Sequence, residues 1–122
     1  MELHPTFGAR SLEILEQVDR GFIKGYISSL VLMEVCWYME ASGKIDEMRG
    51  SVEIVKDSRL EIIELQQSDI TGAVEVKPNH REIDLNDLIN YHVMRRLGIT
   101  NIYTNDSHFK RLTDIKTHFK DN

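Results

Sequence analysis

Glu34, Asp87 and Asp106 carry the chemistry that this sequence offers most directly. Glu34 sits in Leu30-Val31-Leu32-Met33-Glu34-Val35-Cys36-Trp37-Tyr38-Met39, a predicted helix apolar nearly all round and so expected to be buried. A buried carboxylate must be neutralised, by a salt bridge to Arg or Lys, by a solvent-facing sliver of the helix, or by a metal ion. Asp106 ends Ile102-Tyr103-Thr104-Asn105-Asp106, just past a predicted strand and before a predicted helix. Either it or Ser107 would cap that helix. Together with Thr104 and Asn105 it also forms a polar cluster at the end of a strand, where α/β folds place their ligands. Asp87 falls in Asp84-Leu85-Asn86-Asp87, at the head of the helix that carries Tyr91, His92, Arg95 and Arg96. Asp84 as N-cap with an acid three positions on resembles a capping box, so one aspartate can cap while the other points into a site.

Carboxylates converging from separate elements suit a hard cation such as Mg²⁺ or Mn²⁺, which takes oxygen ligands and keeps several waters. Such an ion stabilises a transferring phosphoryl group and activates the attacking water. Zinc is poorly supported: Cys36 is the single thiol, and His4, His80, His92, His108 and His118 show no HExxH or paired spacing. The sequence has no GxxxxGK[ST], GxGxxG or GxSxG, which sets aside P-loop, dinucleotide and α/β-hydrolase chemistry. His92, on a predicted helix, reads as a partly buried structural residue rather than a general base.

The elements that must position these residues follow from periodicity and punctuation. Leu12, Ile14, Leu15 and Val18 give a first helix over 9–20, stopped by Gly21. A short strand over 25–28 leads into Ser28 or Ser29 as N-cap of the apolar helix, which Gly43 closes. Residues 44–56 read as helix and 60–65 as strand. Ser68 or Asp69 is expected to cap a short helix that ends before Pro78. Leu85, Leu88, Ile89, His92, Val93 and Leu97 predict a further helix, stopped at Gly98. Strand over 99–104, short helix over 107–112 and strand over 115–119 complete the reading.

Helices alternating with short strands imply a parallel sheet flanked by helices, an α/β class. With 122 residues, Pro only at positions 5 and 78, and no linker or repeat, the chain reads as a single domain over 1–122. The net charge of -5 argues against coating DNA through bulk positive charge, while leaving room for a local basic groove. One cysteine and an N-terminus without a basic start or apolar run point to a cytoplasmic protein. The longest apolar stretch is about half of the roughly 20 residues that a membrane span needs.

Four stretches, in order, carry a resemblance: His4-Pro5-Thr6-Phe7-Gly8; Ser28-Ser29-Leu30-Val31-Leu32-Met33-Glu34-Val35; Leu85-Asn86-Asp87-Leu88-Ile89-Asn90-Tyr91; and Ile102-Tyr103-Thr104-Asn105-Asp106-Ser107-His108-Phe109. Together the chain resembles a PIN domain, the nuclease fold of the toxin component of VapBC toxin–antitoxin modules and of RNA-processing enzymes. The resemblance implies a three-layer αβα fold with Glu34, Asp87 and Asp106 as acidic metal-site residues, and Thr104 and Asn105 as polar support. It departs from the pattern near His108, where many relatives carry a further acid, and at the start. PIN domains usually open with a central strand ending in Asp, and this sequence starts just after it. Either the natural product is longer, the preferred reading, or the strand is lost. If the short form folds, rearrangement or dimerisation is expected to manage the gap, since unpaired backbone on two neighbouring strands is costly.

The function implied is a divalent-metal-dependent endoribonuclease of PIN toxin type, a hydrolase cutting single-stranded RNA with Mg²⁺ or Mn²⁺. Arg95, Arg96, His108, Lys110 and Arg111 are candidate RNA contacts, with a solvated helix face as the plainer reading of each cation. The resemblance also implies a homodimer and an antitoxin partner docking near Trp37, Tyr38 and Met39 or along the first helix. The alternative is a PIN-like module that binds RNA or protein without cutting, because losing the first aspartate weakens both charge and ligand count. A third reading is an unrelated α/β regulator with an acidic pocket.

Overall fold

The computed structural model describes residues 17–103, 112, 114 and 116–118. They fall into two compact units that divide between Glu64 and Leu65. In the first unit, residues 17–19 are the end of a helix whose stop is set by Gly21 at φ 79°. The Gly21 N–H donates to the Val18 carbonyl at 3.0 Å and the Phe22 N–H to the Gln17 carbonyl at 2.9 Å, the paired bonds of a left-handed helix end. Strand β1 (Tyr26–Ser28) follows, and the Ser28 hydroxyl accepts the Val31 N–H at 3.2 Å to start α1 (Ser29–Ala41). Gly43, at φ 73°, ends that helix by the same device: the Lys44 N–H reaches the Met39 carbonyl at 2.8 Å. Helix α2 (Ile45–Asp57) carries Asp46 and Glu47 in its first turn and Lys56 in its last, charges that complement the helix dipole. Strand β2 (Glu61–Ile63) then pairs parallel with β1 in the register Tyr26↔Glu61, Ile27↔Ile62, Ser28↔Ile63.

Val18, Ile27, Leu30 and Met39 form the core of this unit. The expectation that the Glu34 helix is buried all round is not met. Only Leu30 and Met39 of α1 are buried, while Trp37 is 52% exposed and Met33 and Tyr38 are exposed too. Apolar composition sets what a helix can bury; the elements packed on it set what it does bury. Helix α2 has no buried residue at all.

In the second unit, Gln66 starts α3 (Gln67–Val76) through a capping box closed by Asp69. This corrects the expected cap at Ser68 or Asp69: the aspartate is the third helical residue and reaches back to the cap. A 3₁₀ turn (Lys77–Asn79) holds Pro78, and the Lys77 ammonium donates to the carbonyls of His80 (3.2 Å), Arg81 (3.1 Å) and Ile83, tying down the loop into α4 (Leu85–Leu97). Asp84 is the α4 N-cap by backbone conformation, but its side chain makes no cap hydrogen bond, so the expected capping box there is absent. Gly98, at φ 70°, ends α4 with the Ile99 N–H on the Met94 carbonyl at 2.8 Å. Strands β3 (Asn101–Tyr103) and β4 (Lys116–His118) pair parallel, Asn101↔Lys116 to Tyr103↔His118.

The core of this unit includes Ala73, Ile83, Leu88, Ile89, Val93 and Met94, mostly the inner side of α4 against α3. Gly72 makes that packing possible: a Cβ there would lie 2.8 Å from His92 Cδ2. Each unit thus carries its own two-stranded parallel sheet, and in the first unit helices connect the two strands, the α/β class expected. Most of the expected first helix, the expected helix over 107–112 and the ends of the last strand lie outside the described residues. No helix among the described residues is long and apolar enough to cross a membrane.

Candidate metal centre

Glu34 lies in the second turn of α1, so the Ser28 cap and the β1 strand fix its position along the chain. It is half-buried, short of the full burial expected of it. Asp87 is the third residue of α4 and half-buried, whereas Asp84 is exposed. Its place in the first turn sets a carboxylate at the positive end of the helix dipole. Thr104, Asn105 and Asp106 follow β3 directly in sequence, but they lie outside the described residues, as do His108, Lys110 and Arg111. Among the described residues no group of three or more His, Cys, Asp or Glu could hold a metal ion. Glu34 and Asp87 belong to different units.

The cations of α4 are engaged in different ways. Arg96 grips Asp69 with a fork, Nε to Oδ1 at 3.2 Å and Nη2 to Oδ2 at 2.9 Å. Asp69 is 2% exposed and also accepts the Gln66 N–H at 2.9 Å, so it serves as both helix cap and salt-bridge acceptor. Burial alone would raise its pKa, but the Arg96 hydrogen bond, the Gln66 N–H and the charges of Arg96 and His92 outweigh that and hold it below the usual carboxylate range. Arg95 is the freer cation. Its guanidinium lies 5.7 Å from the centre of the Tyr91 ring and 3.8 Å from Asp114, and both charged side chains are exposed.

Sequence reasoning gave Asp69 only a capping role and did not reach its pairing with Arg96. The local signal was the Gln66-to-Asp69 spacing; its partner lies 27 residues on. Tyr91 and Asp114 were missed as a pair: the Tyr91 hydroxyl donates to both Asp114 carboxylate oxygens, each at 2.8 Å. Burial and that bond push the Tyr91 pKa up. His92 behaves as read, half-buried, with Nδ1 donating to the Leu88 carbonyl at 3.0 Å.

No curated protein matches this chain. Among solved structures, the crystal structure of VapBC2 from Rickettsia felis bound to a DNA fragment from their promoter contains a chain similar to this one in fold. The TM-score is 0.66 at 24% identity, over 94% of this chain and 86% of that chain. The family model described as "PIN domain" matches residues 4–115, a span that encloses Glu34, Asp87 and Asp106, and the chain belongs to the PIN domain family.

Proposed function

We propose that this chain is a divalent-metal-dependent endoribonuclease of the toxin type, cutting single-stranded RNA at phosphodiester bonds. The observation that carries the reading is the family match over residues 4–115, which includes every carboxylate singled out from the sequence. The donor set fits the group in kind: Glu34 and Asp87 are half-buried oxygen donors, the type that a hard divalent cation takes. Glu34, Asp87 and Asp106 would hold the ion, with Thr104 and Asn105 as hydrogen-bonding support. A bound Mg²⁺ or Mn²⁺ supplies Lewis acidity to the phosphoryl oxygens and lowers the pKa of the attacking water. The carboxylates of this chain fix where that water stands relative to the phosphate and offset the cation's charge. Arg95, Arg96, His108, Lys110 and Arg111 are the proposed RNA contacts, Arg95 foremost, because Arg96 is committed to Asp69.

The chain 1–122 acts in this reading as one cytoplasmic PIN unit and as a homodimer. Its partner is an antitoxin whose apolar segment docks on α1 at Trp37 and Tyr38, which are exposed. Met39, 8% exposed, is too buried to join that surface.

The test is cleavage of a labelled single-stranded RNA with Mn²⁺, with EDTA, and by Asp106→Asn. Metal-dependent cutting lost in the variant is the expected result. No cutting by a folded protein would overturn the enzyme reading in favour of a PIN module that binds without cutting.

A further inference from the structure

A cleft of about 250 Å³ opens on the second unit. His80 comes to it from the loop before α4, and Tyr91, His92 and Arg95 from α4 itself; Val76 and Leu112 supply apolar wall. Asp114 is the single acid among the described lining residues. The cleft thus gathers the Arg95 guanidinium and the His80 imidazole, donors that suit a phosphate oxygen, beside apolar surface on which a base or sugar can rest.

The position along α4 gives the cleft a direction. Asp87, Tyr91 and Arg95 recur at four-residue spacing, so they follow one stripe of the helix, and Arg95 stands roughly 12 Å along the axis from Asp87. A phosphate at Arg95 would thus stand about two helical turns from one at Asp87, with the buried Tyr91 between them. The Arg95–Asp114 contact does not lock the guanidinium in place: at 3.8 Å, with side chains 63% and 50% exposed, it contributes little and can yield to a phosphate. Asp114 keeps its other bond, from the Tyr91 hydroxyl, when Arg95 turns away.

We propose that this cleft is a seat for a phosphate of single-stranded nucleic acid, held by Arg95 and His80 beyond the reacting phosphate. The proposal rests on the nuclease reading for the direction of the strand, but not for the binding itself. It is tested by titrating the full chain with a fluorescent single-stranded RNA in EDTA, where no metal-held phosphate contributes. Arg95→Gln and His80→Gln should each weaken binding about tenfold, and Arg95→Gln should also lower the salt dependence by about one phosphate contact. Asp114→Asn should tighten binding. Equal binding by the wild-type and both cationic variants, or no wild-type binding, overturns the proposal. A chain that fails to cut with Mn²⁺ yet loses EDTA binding in Arg95→Gln overturns the nuclease reading and leaves the cleft standing.

Discussion

At the scale of single residues, the second unit depends on Asp69. Asp69→Asn keeps the size but removes the charge that answers Arg96, and should cost about 2 to 3 kcal/mol in urea unfolding at neutral pH. Because the folded pKa of Asp69 is depressed, its contribution is complete above the ordinary aspartate value of about 3.9 and is lost as pH falls through the lower folded value. Stability of the wild type should therefore drop across that acid window, and the Asp69→Asn variant should show a flatter profile. Tyr91 has the opposite sign. Its raised pKa means that the folded state holds its proton longer, so stability falls as pH rises past about 10. Tyr91→Phe should remove that alkaline loss at a cost near 1 kcal/mol. Glu34→Gln should leave stability unchanged or raise it slightly, since it relieves carboxylate repulsion, while abolishing RNA cleavage. Clear destabilisation would mean that Glu34 serves the fold rather than a cation.

At the scale of elements, helix ends set the architecture and glycines set the ends. Gly98→Ala places a Cβ in a left-handed backbone and should cost about 1 to 2 kcal/mol, read as a lower thermal midpoint. Gly72→Ala tests packing instead. The new methyl would meet the His92 ring, so α3 and α4 must separate, with a cost of about 1 to 3 kcal/mol and a shift of the His92 NMR resonances. These ends were legible in the sequence because they are local: Ser28, Gly21, Gly43 and Gly98 each act within a few residues. The parallel pairing of β1 with β2 was legible at one remove, from the helices that separate the two strands in sequence. What escaped was non-local. The composition of Leu30 to Met39 could not show that Trp37 and Tyr38 stay exposed, and nothing near Asp69 announced Arg96. At the candidate site, residue types identified Glu34 and Asp87, but the reading of Asp84 as a capping box failed because sequence spacing permits a hydrogen bond without forming one.

At the scale of the molecule, burial is unevenly shared. Helix α4 buries Leu88, Ile89, Tyr91, Val93 and Met94, whereas α2 buries none of its residues. Amide hydrogen exchange should be slowest in α4 and fast throughout α2, because local opening is resisted by buried apolar contact. Uniform protection of the two helices in the purified chain would show that a second copy covers α2, and that protection should then rise with protein concentration.

The ammonium of Lys77 has three protons, and three carbonyls of the loop before α4 take them. With three bonds on its nitrogen and a half-buried side chain, Lys77 is less open to a reagent than a lysine at the surface. In a timed labelling of the native chain with an amine-acylating reagent, Lys77 should thus react after an exposed lysine such as Lys56. Its late modification would coincide with release of the loop that leads to Asp87, giving a chemical clock for that segment.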